Sequence, residues 1–370
     1  MATTFKTLIN NDLTSTRTLL HEAIPLTGTI VSGTYNEENI KNYAHGMFQS
    51  VYDYPYLSSS ANHIFDLAVG FHKDASAESA TLSSSTAVQN AKKINMYNQM
   101  AQMLVGYDDS GNIRKFDRDG NFGTTTDKMD SALFINFSRL LTKDEIKKGS
   151  FQLTLKVSGT HAAHQDGTAG TEITLYDATA PADYRVNSPA GEYGLLFTSS
   201  NATSDGDSEA QGLIYYQAGM VVLTSSVWDQ HDDDNTAANT LYFGSREDGS
   251  LGEDTYPTFR DALVSGSISG SCNGIRNRIK NIQFNNTTEL NSTIYFCRAN
   301  HNEFNYSSNP TYLSESKIQV KNTSLDNPVS YITSVGLYSA DNELLAVAKL
   351  SEPLKKDPTN ELTLRVRLDY

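Results

Sequence analysis

Leu362-Thr363-Leu364-Arg365-Val366-Arg367-Leu368-Asp369-Tyr370 ends the 370-residue sequence and decides the fold class. Every second residue is large and apolar, and those between are polar or charged. Side chains of a strand point alternately to its two faces. The pattern therefore predicts a strand with one face buried and one open to solvent or a partner. Just upstream, Asp357-Pro358-Thr359-Asn360 supplies turn residues, and Ile332–Tyr338 and Glu343–Lys349 flank a second turn, Ser339–Asn342. Two alternating runs around such a turn read as a hairpin.

Outward from this end, the same signals recur. Phe151–Val157 alternates, with Phe151, Leu153, Leu155 and Val157 on one side. Ala132–Phe137, Ile173–Tyr176, Gly194–Phe197, Leu213–Leu223, Ile282–Phe284 and Thr293–Arg298 also read as strands. Ile113–Phe116 reads as a short strand between the turns Asp108–Asn112 and Asp117–Asn121. Helical spacing is clearest over Thr86–Val105, where Val88, Ile94, Tyr97, Ala101, Leu104 and Val105 share a face. Gln89, Lys92, Lys93, Gln99 and Gln102 are expected outside, and Gly106 suits the C-terminal cap. Helices are also expected over Asp12–Ile24, where Pro25 stops the run, over Glu37–Phe48, and over Thr142–Lys148. Thr27–Val31 looks extended, and residues 159–172, Ser199–Gln211, Asp229–Asn239 and the Gly/Ser-rich Val264–Ser271 read as loops. The fold class expected is α+β, predominantly β: antiparallel sheets or a sandwich, with a mixed N-terminal part. The expected division is 1–150, 151–280 with exposed polar loops, and a β domain 281–370 packed with the N-terminal part.

A formal net charge of −14 argues against nucleic acid and anionic membranes as partners. The small basic groups Arg276–Lys280, Lys147–Lys148 and Lys355–Lys356 read as solvated surface. Cys272 and Cys297 are too few for a secreted disulfide scaffold and are expected reduced. The N-terminus shows no signal-peptide pattern, and no run reaches the ~20 apolar residues that span a bilayer. The expected setting is the cytoplasm, or a larger assembly formed there.

The candidate chemistries are weak. His161 and His164 have two-ligand spacing, but Gly159, Gly167 and Gly170 surround them and the Glu of a metalloprotease helix is missing. Asp117-Arg118-Asp119-Gly120-Asn121 starts like a calcium loop, yet positions six and twelve are Phe122 and Lys128 where Gly and Glu are required. Asp229 with His231–Asp234 forms an acidic loop of the kind that is usually just solvated, and Asp205 with Asp207 is weaker still. The aromatic stretch Tyr43–Phe71 suits core packing better than a stacking platform. No phosphate-binding loop, nucleophile elbow or dinucleotide fingerprint is present. No catalytic residue, cofactor or metal ligand is assigned.

Several segments resemble structural proteins of contractile-tailed bacteriophages, particularly those of cyanobacterial phages. They are Leu19–Ile30 (LLHEAIPLTGTI), His45–Asp66 (HGMFQSVYDYPYLSSSANHIFD), Gly212–Val227 (GLIYYQAGMVVLTSSV), Phe296–Tyr312 (FCRANHNEFNYSSNPTY) and Val335–Ser339 (VGLYS). The resemblance implies a virion protein of tail, baseplate or neck. Such a protein acts by assembly with other virion proteins and with itself in a ring or other symmetric homo-oligomer, not as an enzyme. It carries over no site residues. The alternative expectation is a receptor- or carbohydrate-binding module at the particle periphery. An envelope-degrading hydrolase is a third.

Overall fold

The computed structural model describes residues 5–26, 40–52, 63–74, 84–123, 127–157, 172–200, 210–229, 263, 266–307, 313–314, 317–318 and 327–370. The chain forms two compact units, Leu20–Thr288 and Met1–Leu19 with Glu289–Tyr370. The fold is α+β and predominantly antiparallel β.

In the larger unit, one sheet runs in the order Ile279–Thr288, Gln152–Lys156, Glu172–Tyr176, Tyr193–Phe197, Ala210–Tyr215, Met220–Thr224, Ser131–Phe137, His63–Phe71, Gln49–Tyr52 and Ile40–Asn42. Ser131–Phe137 lies beside Met220–Thr224 in a five-residue register, so residues on both sides of position 150 build one sheet. The middle strands read as unbroken apolar runs because both faces are covered. Along Ser131–Phe137, Leu133, Ile135 and Phe137 enter one hydrophobic cluster, while Ala132 and Phe134 enter another. Met220–Thr224 divides likewise, Val221 and Leu223 against Met220 and Val222.

Helix Ser84–Leu104 supplies Met96, Tyr97, Ala101 and Leu104 to the second cluster. It approaches the sheet very closely: a Cβ at Gly70 would stand 2.8 Å from both Lys93 O and Tyr97 N. The helix ends at Gly106, whose φ of +84° is the left-handed conformation that favours glycine. Helix Ile268–Arg278 supplies Ile268, Cys272 and Ile275 to the first cluster.

Several expectations are corrected. Asp12–Ile24 is not a helix: a 3₁₀ turn, Asn10–Asp12, leads into strand Leu13–Leu26. Leu13, Leu20 and Ile24 recur near helical spacing, which is what predicts a helix there, yet Leu13 and Leu20 are both exposed. The β-branched Thr14, Thr16 and Thr18 favour the extended chain. The described part of Glu37–Phe48 is strand Ile40–Asn42 followed by turns. Thr142–Lys148 is not helical either; helix Arg139–Thr142 ends where Lys143 takes a positive φ of 56°, and strand Glu145–Ile146 follows. Leu213–Leu223 is two strands joined by a turn at Gly219, φ +67°. Val264–Ser271 was expected to be a loop, but from Ile268 it is helix, capped by Ser267, whose Oγ accepts from Gly270 N. Ile282–Phe284 and Thr293–Arg298 are parts of a single strand, Ile279–Ala299.

Ile113–Phe116 is not a strand: Ile113 makes an isolated bridge to Tyr107, and the strand is Phe116–Asp117, paired with Lys128–Met129. The longer helix and the C-terminal strands fall where the patterns put them. Helix Ser84–Leu104 covers the Thr86–Val105 run, and Val88 alone of its expected buried residues is exposed. Lys93, expected outside, is fully buried. The hairpin of Ser330–Tyr338 and Leu344–Lys356 and the strand Leu362–Asp369 match the C-terminal reading. Thr27–Val31 and residues 159–171, 201–209 and 230–239 of the expected loops lie outside the described residues.

Candidate functional site

The smaller unit is built differently from the larger. Leu362–Asp369 pairs with Ser292–Ala299 through eight consecutive residues without a bulge. The hairpin pairs Ser334–Tyr338 with Leu344–Lys349 and resumes at Ile332 opposite Leu354. Between these two sections, Leu350–Pro353 bulges out opposite Thr333. Pro353 has no N–H to give a ladder, so it suits a bulge.

Little apolar surface is hidden here. Among the described residues, the buried apolar side chains of this unit are Ile294, Ala299 and Val366, and none belongs to either hydrophobic cluster. More polar side chains are buried: Asp12, Ser292, Thr293, Asn305, Ser330 and Lys356. Polar contacts hold these residues. Lys356 Nζ donates to Asn305 Oδ1 at 2.7 Å, to Asp357 O at 2.9 Å and to His301 O at 3.2 Å, fixing the hairpin base. Arg298 pairs with Asp12 at 2.6 Å and Lys6 with Glu303 at 2.5 Å.

Large apolar side chains instead face outward. Tyr331 is 52%, Leu345 68% and Val347 54% exposed. An isolated two-stranded hairpin is marginal in water, because it buries too little. Here the hairpin exposes apolar residues on both strands. Beside it lies a groove of about 900 Å³, lined by the aromatic rings of Phe5, Tyr295, Phe304, Tyr306, Tyr331 and Tyr338. Phe5 and Tyr338 meet edge to face, with centroids 4.9 Å apart. Lys6 and Arg298, which also line it, are each paired within the unit. The groove therefore offers rings and aliphatic surface, with its cations already neutralised. That composition suits a protein surface better than a charged metabolite.

Among the described residues, those singled out in the sequence do not assemble into a reactive centre. His161, His164, Asp205, Asp207 and His231–Asp234 lie outside the described residues, as do Tyr54 and Tyr56. Asp229 ends the short helix Ser226–Asp229. Among the described residues, no group of three or more His, Cys, Asp or Glu is placed to hold a metal. Cys272 and Cys297 are free thiols; burial pushes Cys272 up to about 12, away from nucleophilic use. In the aromatic stretch, Tyr43 stacks on His45 with centroids 5.2 Å apart, and Asp66 Oδ1 accepts from Ser50 at 2.5 Å and faces His63 Nε2 at 2.8 Å. A Ser nucleophile requires the imidazole between hydroxyl and carboxylate. Here the carboxylate sits in the middle, so the set orients side chains and does not activate Ser50.

The Asp117 turn is structural. Asp117 Oδ1, Asp119 Oδ1 and Asn121 Oδ1 each accept from the backbone N–H two residues on, and Lys128 Nζ pairs with Asp117. The ammonium neutralises the turn from within. Burial and the hydrogen bond with Asp119 raise Asp117 to about 7, against the lowering by Lys128. A carboxyl that binds its proton more tightly when folded stabilises the fold below its ordinary range and loses that contribution as pH rises towards 7. Urea unfolding midpoints from pH 4.5 to 7.5 should fall more steeply with pH for the natural protein than for Asp117→Asn. Equal slopes would contradict this account.

No protein-family model, curated protein or solved structure matches the chain. Among the described residues no helix is long and apolar enough to cross a membrane.

Proposed function

We propose that the protein is a structural subunit of a bacteriophage virion, of tail, baseplate or neck, and works by protein–protein assembly. The observation that carries this is the smaller unit: an unburied apolar hairpin and aromatic groove beside almost no core of its own. Exposed apolar area on this scale marks an interaction surface. The segment resemblance to contractile-tailed phage proteins supplies the particular setting. The groups that would carry hydrolysis or group transfer have structural roles where they are described.

Fractionation of purified particles tests the proposal. The protein should co-sediment with intact virions at many copies each, and its absence from them would overturn the reading.

A further inference from the structure

We infer that the aromatic groove and hairpin of the smaller unit bind the same unit of a second copy of this chain. This rests on the assembly reading above and names the partner for that surface.

Charge is the first argument. The smaller unit holds ten Lys and Arg against eleven Asp and Glu, a net of −1, so −13 of the chain's −14 falls on Leu20–Thr288. Two copies approaching through their larger units repel each other, and a foreign partner for those units needs a basic face. The smaller unit carries no such restriction. Its charges are of mixed sign along the chain, as in Arg365, Arg367 and Asp369, and several are paired internally. It is the part of the molecule on which a second copy can settle without like-charge cost.

Area is the second. Phe5, Phe304, Tyr306, Tyr331, Tyr338 and Leu345 line the groove and are each between 42% and 68% exposed. At about 200 Å² per large side chain they offer roughly 600 Å² of apolar surface. A standard interface takes about 800 Å² from each partner. These side chains, with Leu344 and Val347 on the neighbouring strand, reach that scale before any polar rim is counted. The unit presents an aromatic groove and, at Leu344 and Val347, further exposed apolar side chains. Strand edges add to this. Leu362–Asp369 pairs only with Ile279–Ala299 among the described strands, and the hairpin forms a sheet of two strands alone. Leu362–Asp369 has neither bulge nor proline, and such an edge accepts a further strand.

Sedimentation velocity of the full-length chain over a wide concentration range tests the inference. The natural protein should form a concentration-dependent oligomer. Leu345→Arg and Val347→Lys, both at exposed positions, should weaken association at least tenfold, with circular dichroism and melting temperature unchanged. Raising salt from about 0.05 to about 0.5 M should leave association unchanged or tighten it, because screening removes repulsion between the acidic units. A protein monomeric at all concentrations would overturn the inference, as would an oligomer untouched by both substitutions or one dissolved by salt. Particle fractionation, run in parallel, keeps the two readings distinct. A monomer that still enters particles rejects self-association and leaves assembly standing, whereas an oligomer missing from particles does the reverse.

Discussion

Phe134→Ala should destabilise the larger unit by about 3–5 kcal/mol, the usual cost of deleting a buried ring from a core. Phe134 lies in the middle of Ser131–Phe137, flanked by His63–Phe71 and Met220–Thr224 through unbroken registers. Its ring faces Phe116 at 5.7 Å and Tyr97 at 6.5 Å between centroids. Tyr97 is tied down in turn, donating from Oη to Met129 O at 2.6 Å and accepting from Phe116 N at 3.1 Å. The walls of the cavity therefore belong to a hydrogen-bonded frame and cannot collapse into the space. In a unit of this size a loss near 4 kcal/mol lowers the melting temperature by roughly 10 °C. Calorimetry on the single variant checks this; a loss below about 1 kcal/mol would mean that the helix does not pack on the sheet as described.

Lys93→Ala should cost about 2–4 kcal/mol, a large loss for a lysine. Its side chain is completely buried, and Nζ donates to Leu263 O and, at 2.7 Å, to Gly266 O. These carbonyls lie just ahead of helix Ile268–Arg278, so one ammonium joins that helix entry to helix Ser84–Leu104. Truncation orphans two carbonyl oxygens and leaves a void, each with its own penalty. Burial also lowers the lysine from its ordinary 10.5 to about 8. Between those values the unfolded chain holds the proton more tightly, so stability from this group rises with pH from about 8 to 10.5. Urea denaturation of the variant at pH 7 measures the loss, and the natural protein's gain above pH 8 should vanish in it. A neutral substitution would contradict the tether.

Lys93 also shows where the sequence stops being legible. The Thr86–Val105 pattern reveals a helix, and periodicity assigns each polar residue to the outer face. It cannot show that a distant segment brings two carbonyls to one of them, which offsets part of the cost of burying a charge. Helix Ile268–Arg278 was hidden for a related reason. Ser269, Gly270, Ser271 and Gly274 have poor helix propensity, and tertiary packing of Ile268, Cys272 and Ile275 outweighs it. The i, i+4, i+7 spacing of those three was the available signal. In Leu13–Leu26 the reverse holds: Leu13 and Leu20 have helical spacing but no buried face, and both are exposed.

The C-terminal strands were legible because period-two alternation survives in them. Their burial was not. The alternation promised a covered face, yet along Leu362–Asp369 only Val366 is buried, and Tyr370 is 72% exposed. A hydrophobic pattern specifies which side of a strand seeks cover; it does not say whether the same chain provides it. That gap between pattern and burial is the groove, and it is why the candidate site emerges only from the structure.

The central claim is that assembly covers this surface. Hydroxyl-radical footprinting of Tyr331, Tyr338 and Leu345 in purified particles, against the free chain at low concentration, tests it most directly. Strong protection of all three in the particle is the predicted result. Equal labelling in the two states would contradict the account.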